Sequence, residues 1–262
     1  LRVTGVPDAI FADQRPAQIY DPLDPDRSDL TVYVEIVEEL GATAVLDIGC
    51  GTGRFACMLA ARGIDVVAVD PAVASLDVAR NKPCSDQVRW VNGVASDLPP
   101  LQVDLAVMTA NVAQVFLTDE EWMETLCAAH DALRPGGWLV FETRDPDAQA
   151  WLEWTREHSR RRVDVSGIGS IATWVEVTEV AGDLVSFRHT WVFEGDGATL
   201  TSDSTLRFRR RLEVADSLAR AGFALDEVRE APDRPGKEMV FMARRPEAAV
   251  RDGATAGKPG PS

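Results

Sequence analysis

Apolar residues fall along this chain in two rhythms, and the change from one to the other divides it. Up to about residue 150, helical spacing alternates with short unbroken apolar runs. Leu30, Val34, Ile36, Val37 and Leu40 recur at three- and four-residue intervals after Ser28 and Asp29, and Gly41 is placed to end that helix. Further helices are expected from Phe55 through Leu59 to a stop at Gly63, over Val73 to Arg80, and from the capping box Thr118-Asp119-Glu120-Glu121 to about Leu133. Between them Ala44 to Ile48, Val66 to Val69, Val88 to Val91, Val103 to Met108 and Trp138 to Glu142 read as strands. Continuous rather than alternating β-branched runs belong to strands covered on both faces, so this part predicts an α/β core on a parallel sheet.

Beyond residue 150 the period becomes two. Ile171 to Val180, Leu184 to Phe193 and Leu200 to Phe208 alternate, with Gly182-Asp183 and Gly195-Asp196-Gly197 as hairpin turns, which predicts a three-stranded antiparallel insertion. Within it Val185, Phe187, His189, Trp191 and Phe193 share one face, and Ser186, Arg188 and Thr190 the other. A helix at about Leu212 to Ala221 and strands at Phe223 to Val228 and Glu238 to Ala243 return to the main sheet. The predicted organisation is an arm or cofactor lid over 1–28, a core over 29–150, a substrate-covering insertion over 151–210, completion of the core over 211–245, and a disordered tail over 246–262. The arm holds Pro7, Pro16, Pro22 and Pro25 and reads as irregular, with one short helix near Pro16 to Tyr20.

Composition narrows the partners. A net charge of −15 over 262 residues argues against a phosphate-tracking surface, because nucleic-acid binding draws on Lys and Arg displacing counterions. Four cysteines without a C-x-x-C pair and three scattered histidines predict no metal site and a reduced, cytoplasmic protein. No stretch approaches the roughly 20 apolar residues that span a bilayer, and residues 1–30 lack the apolar run of a signal peptide.

The chemistry concentrates where the first strand ends: Asp47-Ile48-Gly49-Cys50-Gly51-Thr52-Gly53. Alternate glycines let a ligand approach the backbone, and the helix that follows points free N–H groups at its negative end. Asp70, closing the second strand, is placed to accept both hydroxyls of a ribose. A nucleoside-bearing cofactor follows, but Gly51-x-Gly53-x-x-Ala56 leaves a dinucleotide open. With Leu133-Arg134-Pro135-Gly136-Gly137 before the fifth strand, the arrangement resembles the class I S-adenosylmethionine-dependent methyltransferases, of the type that acts on small molecules. The resemblance covers roughly Tyr20 to Ala243. It implies a Rossmann-like seven-stranded sheet with helices on both faces and the antiparallel β insertion after strand 5.

The family pattern implies that Gly49, Cys50 and Gly51 border the methionine part of S-adenosylmethionine, that Asp47 helps hold its amino group, and that Asp70 and Pro71 meet the ribose. The family's G-D-A-x-x-L-P is here Gly93-Val94-Ala95-Ser96-Asp97-Leu98-Pro99, so Val94 replaces an acid that reaches the adenine; Ala95 borders the base, and Ser96 or Asp97 is left to supply the contact. Tyr20 resembles a tyrosine that folds over the methionine carboxylate, and Thr109 to Gln114, including Asn111, occupies the loop lining the sulfonium and substrate side. That loop is not the N-P-P-Y type, which favours a metabolite acceptor.

His189 is the imidazole candidate for a general base, against the competing reading of a histidine packed between Phe187 and Trp191. Gln114, Arg144 and Trp174 are the substrate candidates: Arg144 to receive a carboxylate, Trp174 to wall an apolar group, as Trp151 and Trp154 would. Glu142 and Thr143 share the strand end with Arg144. The expected activity is methylation of an O or N atom of a small molecule. An NAD(P)-dependent oxidoreductase and a non-catalytic S-adenosylmethionine-binding protein are the alternatives, and an exposed face of the meander is a candidate homodimer contact.

Overall fold

The computed structural model describes residues 7–247. Most of the expected tail, residues 248–262, and the first six residues lie outside the described part. Helices α1 (Ala9–Ala12), α2 (Gln14–Leu23) and α3 (Asp29–Glu39) precede β1 (Ala44–Ile48), α4 (Arg54–Ala60), β2 (Asp65–Asp70), α5 (Val73–Arg80), β3 (Val88–Asn92) and β4 (Val103–Met108). Then come α6 (Asp119–Ala132), β5 (Leu133–Arg144), α7 (Arg156–Ser159), β6 (Arg161–Val165), β7 (Gly169–Ala181), β8 (Leu184–Phe193), β9 (Thr199–Arg207), α8 (Arg211–Arg220), β10 (Ala224–Glu230) and β11 (Glu238–Arg244).

The main sheet has seven strands in the order β10-β11-β5-β4-β1-β2-β3, with β1 to β5 parallel and β11 antiparallel to both its neighbours. Its central strands alternate between two buried faces: Leu46 and Ile48 join Trp122 and Leu126 of α6 and Leu218 of α8, while Val45 joins Tyr33 of α3 and Phe55 and Leu59 of α4. Burial on both sides is why these strands carry no polar alternation. The chain reverses its strand order between β1 and β4, and ligands of open α/β sheets bind outside the carboxyl ends of the strands at that switch.

Three expectations need correction. The insertion has four strands, β6-β7-β8-β9, rather than the expected three, because Arg161 to Val165 pairs antiparallel with β7. It is an edge strand whose charges hide the Val163/Val165 alternation; Arg162 meets Glu194 at 2.6 Å. The turn Pro135-Gly136-Gly137 lies inside β5, since Leu133 already pairs with Val103 and a register shift before Leu105↔Trp138 absorbs the turn. The arm is more helical than its prolines suggest. Pro16 sits in the first turn of α2, where no intrahelical N–H is needed, and Pro22 near its end. Ile19 and Leu23 of α2 pack on Val165, Ile171, Trp191 and Phe193, so the arm ties the meander to the core.

Candidate active site

The glycine loop is shaped by contacts that exclude side chains. A Cβ on Gly49 would stand 2.6 Å from Val112 in the loop after β4, and Gly49 has φ +73°. Gly51 has φ +52° and open space around its Cβ position, so there the left-handed backbone is what requires glycine. The loop is pinned from β2: Asp70 Oδ2 accepts the Gly51 N–H at 2.8 Å and Oδ1 accepts the Ala72 N–H at 2.8 Å. Burial raises the Asp70 carboxyl above its ordinary range against the pull of those two bonds. One lone pair on each oxygen is left for a ligand.

Asp47 differs. It is 1% exposed and both carboxylate oxygens lack a partner among the described residues. Burial pushes its carboxyl up to about 7, and the charge of Asp70 adds to the effect. It lies behind the loop rather than in the cavity wall. An orphaned carboxylate beneath a bare glycine backbone, next to an acid with free lone pairs, fits a cofactor that carries a cationic group and a ribose. The Cys50 thiol is pushed up by burial and is no nucleophile.

One cavity of about 490 Å³ opens over this loop. Gly49, Cys50, Gly51, Asp70, Pro71, Ala95 and Ser96 line one end of it. Asp97 does not; its carboxylate accepts the Val94 N–H at 3.0 Å and closes its own turn, leaving Ser96 as the polar group of that segment in the wall. Thr125 and Glu124 of α6 also reach this cavity, a helix face the glycine motif did not indicate.

The meander and the arm supply another part of the lining: Phe187 and His189 of β8, Ser204 and Leu206 of β9, and Tyr20 and Phe11 of the arm. The His189 ring stacks on Trp191 at 4.5 Å, with 4° between planes, and neither nitrogen has a hydrogen-bond partner among the described residues. Burial, with Arg161 nearby, pushes the imidazole down to about 4, so it is neutral at pH 7. Tyr20 meets Phe11 at 5.7 Å. Beside it Asp21 accepts the Thr52 hydroxyl at 2.8 Å and pairs with Lys82, clasping the arm to the glycine loop, a link without a sequence signal because each partner is an ordinary surface residue type.

Asn111 and Arg144 also line the cavity, whereas Gln114 and Trp174 do not. Gln114 is fully buried and accepts from Arg144 Nη1 at 2.9 Å. The Trp174 indole donates to Glu176 at 2.6 Å with Arg156 over its ring. Behind Asn111 runs a buried polar network that the motifs did not disclose. Glu142 accepts from the Tyr33 hydroxyl and, at 2.9 Å, from the Asn111 main-chain N–H; Glu238 accepts from Asn111 Nδ2 at 3.1 Å. Burial lifts the Glu142 carboxyl to about 7, against the Tyr33 bond. The available signal was a glutamate within each of two apolar strands, Phe141-Glu142-Thr143 and Glu238-Met239-Val240. His130 packs edge-on against Phe223 at 5.2 Å, and His158 lies by its helix cap on Thr155, both away from the cavity.

Residues 45–137 match the family described as Methyltransferase domain. An uncharacterized methyltransferase of Mycobacterium tuberculosis is 39% identical over 121 residues, 44% of this chain and 45% of that protein. The cypemycin N-terminal methyltransferase of a Streptomyces species is 34% identical over 118 residues, 45% of this chain and 48% of its own. The chain spans about half the length of the curated relatives it matches. Among solved structures, the sugar N-methyltransferase KedS8 from Streptoalloteichus superimposes with a TM-score of 0.73 at 18% identity, covering 87% of this chain and 92% of that one. The amino pentose methyltransferase CalS10 from Micromonospora echinaspora, solved with S-adenosylmethionine bound, gives 0.67 at 21% identity, covering 86% and 94%. Sheet order, glycine loop and family match agree: residues 45–137 are similar to the methyltransferase domain family, and the chain has the fold of solved S-adenosylmethionine-dependent methyltransferases.

Proposed function

We propose that the protein transfers a methyl group from S-adenosylmethionine to an oxygen or nitrogen atom of a small-molecule metabolite. The observation that carries this reading is the continuity of a single cavity from Gly51 and Asp70 to His189 and Leu206. Two reactants in one cavity can be held in line, which is most of what methyl transfer asks of a protein. The cofactor, when bound, supplies the activated methyl group on its sulfonium. Gly49, Cys50 and Gly51 would border its methionine part, Asp47 its ammonium, Tyr20 its carboxylate, Asp70 and Pro71 the ribose, Ala95 and Ser96 the adenine, and Asn111 the methyl-bearing end. His189, neutral and without a partner, is the group that can accept a proton from a hydroxyl acceptor. An amine that arrives neutral needs no base.

Proteins named for N- and O-methylation, the sugar N-methyltransferase KedS8 and the ubiquinone biosynthesis O-methyltransferase of Coxiella burnetii, the latter 32% identical over 51% of its length, support this acceptor chemistry. No helix among the described residues is long and apolar enough to cross a membrane. Four unpaired thiols support a reducing, cytoplasmic setting, and the meander is our candidate for a homodimer contact. Calorimetric titration with S-adenosylmethionine, S-adenosylhomocysteine and NADPH, followed by transfer of labelled methyl to amines, phenols and carboxylic acids, tests the reading. Binding of the sulfur nucleosides with labelled product supports it. Binding of NADPH alone overturns it, and tight S-adenosylhomocysteine binding with no acceptor methylated would make the chain a non-catalytic binder.

A further inference from the structure

Arg144 is held in a way that leaves one edge of its guanidinium free. Nη1 donates to Gln114 Oε1 at 2.9 Å, and Nε faces Glu238 Oε1 at 3.4 Å. Gln114 is itself fixed, fully buried with Nε2 donating to the Arg207 carbonyl at 3.3 Å. Nη2 has no hydrogen-bond partner among the described residues, and Arg144, whose guanidinium lies 5.3 Å from the Trp154 ring, lines the cavity. Its charge is only partly answered, because the same Glu238 oxygen takes Arg234 at 2.6 Å and Asn111 Nδ2 at 3.1 Å. A buried guanidinium on a long, shared contact is poised for an anion.

Asn111 supplies the complement. Its amide nitrogen and main-chain N–H are committed to Glu238 and Glu142, while its Oδ1 is buried with no partner. The residue sits at φ +61° after Ala110 at φ +56°, two left-handed non-glycine positions that the Glu142 bond holds in place. Its neighbour Val112 packs against Gly49, so Asn111 belongs to the glycine-loop end of the cavity lining. Asn111 and Arg144 thus both hang on one oxygen of Glu238, and both line the cavity.

We propose that Arg144 and Asn111, oriented by Glu238, form the acceptor subsite for a carboxylate-bearing amine or alcohol, whose N–H or O–H meets Asn111 and whose carboxylate meets Arg144. The proposal rests on the methyltransferase reading. Glu238 is a positioning residue, and the class named is an amino- or hydroxycarboxylate.

The test uses protein saturated with S-adenosylhomocysteine, titrated calorimetrically with anthranilate, phenylglycine and 4-aminobutyrate and with the primary amide of each. At least one acid binds about tenfold more tightly than its amide, the usual advantage of a charge-assisted bond, and Arg144→Gln brings the pair within about twofold. No acid outbinding its amide, or a preference that survives in Arg144→Gln, overturns the subsite. S-adenosylhomocysteine and 5′-methylthioadenosine are titrated into the same variant. Unchanged affinity for both supports the acceptor assignment and shows that the variant is folded. A loss confined to S-adenosylhomocysteine would assign Arg144 to the cofactor's methionine end and overturn the proposal. A loss of both is resolved by Arg144→Lys, which must keep cofactor affinity and part of the acid preference for the proposal to stand. If the unmodified protein does not bind S-adenosylhomocysteine, it is the methyltransferase reading that fails.

Discussion

Asp47→Asn should make the ligand-free protein more stable, and increasingly so as pH rises. The carboxyl ionises near 3.8 in an unfolded chain and is pushed up to about 7 in the folded one by burial without a partner. Between those values the folded state holds a proton that the unfolded state has lost, so raising the pH favours unfolding; above about 7 the full penalty is present. Each pH unit within the window costs about 1.4 kcal/mol, so between about pH 5.5 and 8 the wild type should lose about 2 kcal/mol relative to the Asp47→Asn variant, whose amide cannot ionise. Working above pH 5.5 keeps this acidic chain in solution. Urea denaturation of both proteins at half-unit pH intervals reads the difference directly, and contributions common to both, such as that of Glu142, cancel. Adding S-adenosylhomocysteine should reverse the order: its ammonium answers the carboxylate in the wild type, and the variant should bind it at least about tenfold more weakly, the loss expected for a buried charged pair. A stability difference that stays flat from pH 5.5 to 8 would refute the reasoning, because it would mean that Asp47 ionises normally beneath the glycine loop.

Gly49→Ala forces a Cβ into Val112 at a left-handed φ and should cost about 2–3 kcal/mol in urea denaturation, with Val112→Ala restoring the steric but not the conformational part. The imidazole signals of His189 should not titrate between pH 5.5 and 8 in NMR spectra, since burial holds this ring neutral down to about 4; a midpoint near 6.5 would place it in solvent. Asp21→Ala removes the clasp on Thr52 and Lys82 and should cost about 1–3 kcal/mol locally, read as faster amide exchange in α2 with β4 and β5 unchanged. Tyr33→Phe takes a donor from the buried Glu142 carboxylate; stability should fall by about 1–3 kcal/mol at pH 8 and by less at pH 6, where the carboxyl is mostly protonated.

Much of this architecture is local and therefore written in order along the chain. Apolar runs marked β2 and β4 because both faces of each are covered. Thr118 and Glu121 announced α6 because the capping box is a bond between near neighbours, Glu121 N to Thr118 Oγ1 at 3.1 Å. The glycine turn and Asp70 could be read together because parallel strands joined by one helix most often lie side by side, as β1 and β2 do. The edge strand β6 was hidden by its arginines, whose charges suit an edge and imitate a solvated helix.

The sequence by itself determined the elements, the cofactor end of the cavity and the two-faced core, since each depends on spacing within a few residues or on one obligatory crossover. Tertiary structure alone decided the rest. It joined Tyr33, Asn111, Glu142 and Glu238 from four separate elements, because pairing β11 with β5 sets Glu238 opposite Arg144 and Val240 opposite Glu142. It turned Gln114 inward as a brace for Arg144 and placed His189 in the same cavity as the glycine loop. Such meetings depend on register and on the angle between two sheets, which no local pattern encodes. A buried carboxylate shows its function only once the group it faces, or lacks, has been placed beside it.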